Sequence, residues 1–245
     1  VSAPNTETLV QTLHEASLGH FASSDRLKRL ATFTESMLAI NETLNLTRLT
    51  SEEDVRIKHV LDAAMAFPLL ERLMAGKEGP KVMDLGSGCG FPGAALAAAF
   101  PTWKVTLMDA TAKKVQALGQ CAQTSGLSLE VLKGRAEELG RLDAQREAWD
   151  LVTARAVADL PVLLEYALPF LKVGGFLVDW VSQEQAKTVD KSQNALKILG
   201  GKILESQEYR LPGLKVPRGL VVVEKVGKTP AKYPRLPGFP SKHPL

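Results

Sequence analysis

The sequence predicts an α/β fold: a mostly parallel, Rossmann-like sheet finished by an antiparallel C-terminal hairpin and preceded by a helical extension. Three observations predict it. From Lys81 onward, short apolar runs alternate with helix-like stretches, the pattern of a parallel sheet covered on both faces. Before Lys81, apolar residues recur at helical spacing. Beyond Lys202 the alternation stops, and two strand-like runs follow one another across a turn rich in Pro and Gly.

In the N-terminal part, Asn5 and Thr6 precede Leu9, Val10, Leu13 and Leu18 on one face. Ser24 or Asp25 then caps a longer stretch through Leu27, Leu30, Phe33, Met37, Leu38 and Ile40. Asn45-Leu46-Thr47 interrupts it, and Glu52 to Met74 resumes a helical pattern. Gly76, Gly79 and Pro80 break the chain, which sets residues 1–76 apart as a helical extension. Residues 77–228 form the main domain. Its strands are expected at KVMDL, KVTLMD, LEVLKG, WDLVTAR, GGFLVDWV, KILESQEYRL and GLVVVEKV. Its helices are expected at Gly93–Phe100, Ala112–Ser125, Glu137–Leu142, Leu160–Leu171 and Asp190–Leu199. Residues 229–245 contain five prolines and are expected to be an extended basic tail, neither helix nor central strand.

Composition narrows the class. Hydrophobic residues make up 45% and charged residues 23% of the 245, enough apolar content for a real core. The longest apolar stretch, Gly93 to Phe100, falls far short of the ~20 residues of a membrane helix, so no membrane association is expected. The start VSAPNTETLV has no basic segment and no apolar core, so no secretory signal is expected. Cys89 and Cys121 make neither a disulfide framework nor a zinc cluster, which suits a cytoplasmic protein without metal. Charge is uneven: Lys197 to Leu245 carries ten Lys/Arg against three Glu. A basic end on a near-neutral body points to a polyanionic partner or simply to a solvated surface.

The chemistry concentrates after the first strand. Val82-Met83-Asp84-Leu85 runs into Gly86-Ser87-Gly88-Cys89-Gly90-Phe91-Pro92-Gly93. Glycines between a strand and a helix let backbone approach a ligand closely. Gly88, Gly90 and Gly93 match G-x-G-x-x-G, and Asp109 follows about 20 residues on, so a dinucleotide cofactor such as NAD fits. Two details favour S-adenosylmethionine instead. Asp84 would repel a pyrophosphate but suits the ammonium of a methionyl group. The acidic residue followed by Gly86-x-Gly88-x-Gly90 is the first motif of methyltransferases. Asp109, closing the second strand, can accept from ribose hydroxyls in either class.

Two later segments reach the same sheet edge. Gly134-Arg135-Ala136-Glu137 can contact an adenine, and equally can open a helix with Glu137 and Glu138 in its first turn. Arg155, in Thr153-Ala154-Arg155-Ala156, can hold a phosphate or carboxylate, donate to a guanine, or pair with Asp150 or Asp159.

Together these motifs resemble the glucose-inhibited division protein B family, the bacterial 16S rRNA guanine-N7 methyltransferases. The likeness runs from about Asn45 to the C-terminus. It rests on Asn45-Leu46-Thr47, Lys58-His59-Val60-Leu61-Asp62, DLGSGCGFPG at 84–93, Lys113-Lys114, GRAEEL at 134–139, Thr153-Ala154-Arg155-Ala156 and PFLKVGG at 169–175. The tail adds Tyr233-Pro234-Arg235, Gly238, Pro240 and Pro244-Leu245.

The resemblance implies a class I methyltransferase sheet and cofactor contacts at Gly86, Phe91, Ala136, Glu137 and Arg155, beside the Asp84, Gly88, Gly90 and Asp109 read from the motif. It implies Arg155 as the catalytic residue. It also implies RNA contacts at Asn45, Lys58, His59, Lys113 and Lys114, and a target guanine in the small-subunit decoding-region hairpin. Lys202, Lys215, Arg218, Lys225, Lys228 and Arg235 are further candidates for phosphate contacts. In one place the chain departs from the family: Trp180-Val181-Ser182-Gln183 stands where members carry Lys-Gly after the fifth strand. The expected enzyme is a monomer acting on 16S rRNA or a small-subunit particle.

Guanine N7 has an in-plane lone pair and no proton to lose, so little acid–base chemistry is required. Consistent with this, no Asn/Asp-Pro-Pro-Tyr/Phe motif follows the fourth strand, and no Cys sits where a cytosine-C5 nucleophile would. Orientation and exclusion of water would then carry the catalysis.

Overall fold

The computed structural model describes residues 2–186 and 189–245. The chain begins with helices α1 (Thr6–Glu15) and α2 (Ser24–Leu44). Then come α3 (Glu52–Val55), a π-helical turn (Arg56–Leu61), α4 (Asp62–Ala64) and α5 (Phe67–Leu73). The alternating part is β1 (Lys81–Leu85), α6 (Gly93–Ala99), β2 (Lys104–Asp109), α7 (Ala112–Ser125), β3 (Leu129–Lys133), α8 (Ala136–Leu139), β4 (Trp149–Arg155) and α9 (Leu160–Ala167). It ends with β5 (Leu171–Ser182), α10 (Gln183–Ala186), α11 (Gln193–Leu199), β6 (Gly201–Tyr209), β7 (Arg218–Lys225) and α12 (Phe239–Lys242). The seven strands form one mixed sheet in the order β3-β2-β1-β4-β5-β7-β6. The pairs β1–β4, β2–β3 and β4–β5 are parallel, and β5–β7 and β6–β7 are antiparallel. The expected fold class is the one found.

By its internal contacts the chain divides into two compact units: residues 1–79 with 87–133, and residues 80–86 with 134–245. In the first, α2 packs on α6 and α7. Every residue of α6 is buried, and its run GAALAAA has side chains small enough for close approach on all sides. Helix α2 ends at Asn45 in the left-handed conformation, φ 51°, a position Asn tolerates better than most residues. In the second unit, β4, the later half of β5 and most of β7 are buried because both faces are covered there.

Prolines account for most differences from the expected elements. The pattern from Glu52 to Met74 is not one helix. It breaks at Met65-Ala66, and α5 starts afresh with Pro68 in its first turn, where a missing N–H costs nothing. Pro169 likewise ends α9 at Ala167, a 3₁₀ turn covers Leu168–Phe170, and β5 begins three residues earlier than the glycines suggested. Helix α8 stops at Leu139, and the stretch beginning at Asp190 is helical in the α sense only from Gln193. The tail is not wholly extended either: α12 forms with Pro240 in its first turn.

Candidate functional site

In the first unit, three backbone bonds shape the glycine-rich loop. Ser87 N–H donates to Met108 O (3.0 Å), Gly90 N–H to Ser87 O (2.7 Å), and Ala94 N–H to Gly90 O (2.7 Å), which starts α6. Gly88 and Gly90 hold φ of 58° and 97°, so the turn needs residues free of the Cβ penalty. At Gly90 a Cβ would also meet Phe33 Cζ at 2.6 Å. Asp109 is buried at the end of β2. Its Oδ2 accepts the Gly88 amide (3.2 Å) and its Oδ1 the Thr111 amide (2.8 Å), with Lys114 Nζ 3.8 Å from Oδ2. The carboxylate is thereby oriented by the loop itself. Lys113 is exposed at the start of α7.

Behind this loop the structure gathers three segments that were separate in sequence. His59 is 4% exposed. Its ring stacks on Phe91 (centroids 5.3 Å, 16°), and its Nε2 lies 3.1 Å from Thr47 Oγ1 and 3.8 Å from Cys89 Sγ. Asn41 fixes Thr47 from both sides, accepting from Thr47 N–H (2.8 Å) and donating to Thr47 O (3.0 Å). Burial removes His59 from the expected RNA contacts; it supports the loop instead. The Phe91 ring is equally buried, edge-on to Phe33, so only the Phe91 backbone can approach a cofactor. Lys58 is half-exposed, with Asp54 2.5 Å away; that pairing holds the Asp54 carboxyl below its ordinary range.

The second unit contains the point where the strand order reverses, between β1 and β4. Ligands of open α/β sheets bind outside the carboxyl ends of the strands at such a point. Asp84 and Thr153 face each other in register there, and Thr153 Oγ1 donates to the buried Asp84 Oδ1 at 2.9 Å. Gly86 follows with φ 71°, and a Cβ on it would come within 2.8 Å of Val157 Cγ2. Arg155, half-exposed, closes β4, and Ala156 after it takes φ 56°, uncommon for a residue with a side chain. Ala136 and Glu137 are both buried in α8, and Glu137 Oε1 accepts the Gly238 amide at 3.0 Å.

The basic candidates of this unit divide sharply. Lys215 is exposed in the turn before β7, and Arg218, opening β7, is half-exposed. Arg235 instead binds Glu165 through Nε and Nη2, the shortest contact 2.6 Å. Its own amide donates to the same carboxylate at 2.7 Å. Lys225 is fully buried and donates to Leu168 O (2.6 Å) and to Thr229 Oγ1. It is therefore no phosphate contact, and Arg235 serves as an internal clamp. Sequence reading missed Glu165, the partner of that clamp. The signal was present: a lone Glu inside LPVLLEYALPF must have a cation if the helix is buried.

Among the described residues, no cluster of His, Cys, Asp and Glu could hold a metal, and no helix is long and apolar enough to cross a membrane. The sheet order also bears on the cofactor. A dinucleotide fold continues 3-2-1-4-5-6, whereas here the antiparallel β7 lies between β5 and β6. A family model described as rRNA small subunit methyltransferase G, GidB, matches residues 26–211. The chain belongs to the GidB family. Its relatives include the ribosomal RNA small subunit methyltransferase G of Alkaliphilus metalliredigens, 41% identical over 229 residues, covering 93% of this chain and 94% of the relative. That of Lactobacillus acidophilus is 39% identical over 233 residues, covering 94% and 96%. Among solved structures, a SAM-dependent methyltransferase from Aquifex aeolicus shares the fold with a TM-score of 0.50 at 18% identity, covering 64% of this chain and 88% of that one. GidB membership and the sheet order agree with the methyltransferase reading of the loop over the dinucleotide one.

Proposed function

We propose that this GidB protein transfers a methyl group from S-adenosylmethionine to N7 of a guanine in 16S rRNA. The observation that carries the cofactor half is Asp109, a buried carboxylate aimed by the Gly88 and Thr111 amides at the mouth of a left-handed glycine loop. Two hydrogen bonds leave lone pairs on each oxygen for the two ribose hydroxyls. Asp84 accepts from Thr153, and an ammonium is the complement of a buried carboxylate. Ala136 and Glu137 are assigned to the adenine. S-adenosylmethionine, when bound, supplies an electrophilic methyl group.

The protein then has to orient and desolvate the base. Guanine N7 attacks with its own lone pair, so no side chain need remove a proton. Arg155 is assigned to the target nucleotide, whose phosphate suits a planar guanidinium. Asn45, Lys58, Lys113, Lys114, Lys215 and Arg218 are assigned to RNA, with phosphate contacts giving a salt-dependent affinity. The same reading takes the enzyme as a cytoplasmic monomer acting on 16S rRNA or a small-subunit particle, and analytical ultracentrifugation checks the monomer.

The test is Asp109→Ala. Calorimetry should show S-adenosylmethionine binding weakened by at least about tenfold, the worth of one charge-assisted hydrogen bond. Unchanged binding would overturn the ribose assignment. Labelled methyl transfer to unmethylated small-subunit RNA, with mass mapping of the product, decides the substrate and the atom.

A further inference from the structure

The second unit holds a cavity of about 470 Å³ that the cofactor assignments leave unused. Its volume lies in the ~300–1,000 Å³ range of small-molecule sites. It begins at Ala158, one residue beyond Val157, the side chain lying against Gly86. It thus opens next to the first glycine of the cofactor turn, on the carboxyl side of β4. Pro161, Val162 and Pro244 give it apolar walls, and Asp159, Lys191 and Ser241 give it polar ones.

Asp159 is unusual for its position. It is the N-cap residue of α9, where an Asp side chain ordinarily accepts an amide of the first turn, yet it makes no cap hydrogen bond. Its carboxylate is exposed and lines the cavity. An acidic side chain, Asp159, and a basic one, Lys191, therefore border one recess with apolar walls. Burial, and then the nearby Asp159 charge, push the neighbouring Asp179 carboxyl up to about 8.

A carboxylate beside an ammonium matches one nucleobase edge. Guanine presents two donors, N1–H and the exocyclic N2 amine, next to one acceptor, O6. Adenine reverses this order, with an acceptor at N1 and a donor at N6. Unstacked bases are read in this manner, on their Watson–Crick edge between apolar faces.

We infer that this cavity seats the target guanine, with Asp159 accepting from N1–H and N2–H and Lys191 donating to O6, so that N7 stays free to attack. The inference rests on the methyltransferase reading above. It makes Asp159 and Lys191 the residues that decide base specificity. A site built on hydrogen bonds to the substrate rejects an analogue that lacks them far more strongly than an apolar pocket can.

The experiment uses the full-length protein and small-subunit RNA carrying either guanosine or inosine at the methylated position. Inosine lacks only the N2 amine. The wild type should prefer guanosine about tenfold or more in kcat/KM, the loss of one charge-assisted bond. Asp159→Ala should lower kcat/KM for guanosine by about 30-fold or more and bring the guanosine-to-inosine ratio close to one. Lys191→Met should lower kcat/KM for both bases alike, since O6 is common to them. In both variants KM for S-adenosylmethionine and Tm should stay at wild-type values. An Asp159→Ala variant that keeps the wild-type ratio overturns the inference. A wild type that methylates neither RNA overturns the function on which the inference rests, and the two failures are separated by the wild-type measurement alone.

Discussion

The stretch from Gly86 to Gly93 holds four glycines, and the stretch from Thr229 to Leu245 holds five prolines. Both lie outside regular strands, and both are fixed, but by opposite means. The glycine loop turns through left-handed conformations and is held by its own amides, close in sequence or one strand away. The proline segment has lost five amide donors while keeping every carbonyl. Its surplus acceptors are met by guanidinium groups, one from far along the chain and one from the segment itself. Arg146 donates to Thr229 O (2.7 Å), Tyr233 O (2.8 Å) and Pro230 O (3.3 Å), and Arg235 Nη2 turns back to His243 O (2.7 Å). Glycine thus lets a turn satisfy its own amides through left-handed backbone, and proline calls for guanidinium groups from the protein itself.

The largest expected effect tests the proline side. Arg235→Ala leaves Glu165, which is 0% exposed, with only a backbone amide as partner. Breaking a buried pair from one side costs about 3 kcal/mol. Urea denaturation should show that loss, and limited proteolysis should cut the chain beyond Thr229. A tail that stays protected in the variant would mean that Arg146 holds it alone.

The glycine side is tested by Gly90→Ala. The new Cβ would meet Phe33 Cζ at 2.6 Å at a φ of 97°, so both sterics and backbone oppose it. A cost of about 2 kcal/mol is expected. Because Phe33 and His59 flank the Phe91 ring, S-adenosylmethionine affinity should fall together with Tm. Stability lost without affinity would separate the loop from the cofactor.

This contrast also explains what was legible in the sequence. The strands KVMDL, KVTLMD and WDLVTAR match β1, β2 and β4 residue for residue, because apolar run and breaker sit side by side. The glycine turn was legible for the same reason: its bonds are local. The tail read as loose because its partners, Glu137, Arg146 and Glu165, lie some 70 to 100 residues away. Proline spacing carries no trace of them. His59 read as an RNA contact because its partners come from two segments distant from it in sequence, Thr47 on one side and Cys89 and Phe91 on the other.

A third, smaller effect concerns how the proline segment begins. Lys225 reaches Thr229 from full burial, and that burial, helped by Arg146, pushes its ammonium down from 10.5 to about 8. The sign follows from linkage. With the folded value depressed, charging Lys225 costs stability below about 8, and the cost is relieved as pH rises from there toward 10.5. Stability should therefore rise between pH 8 and 9.5 by up to about 1.4 kcal/mol per pH unit. Lys225→Met should flatten that slope. Denaturation curves of the two proteins at several pH values measure the difference, and parallel profiles would count against a depressed lysine.

The smallest effect concerns a turn that uses neither glycine nor proline. Asn45 takes φ 51° at the end of α2, where the chain must leave the helix in the left-handed region. Asn45→Gly removes the side chain without strain and should change stability by only a few tenths of a kcal/mol, whereas Asn45→Ala should cost about 1 kcal/mol. The pair separates two roles of one residue. If Asn45 matters only as a turn, the glycine variant keeps full methyl transfer to small-subunit RNA. If its amide also meets RNA, the glycine variant is stable yet slower at low RNA concentration, with KM for RNA raised and KM for S-adenosylmethionine unchanged. Asn would then combine much of the conformational licence of glycine with a side chain left over for a partner.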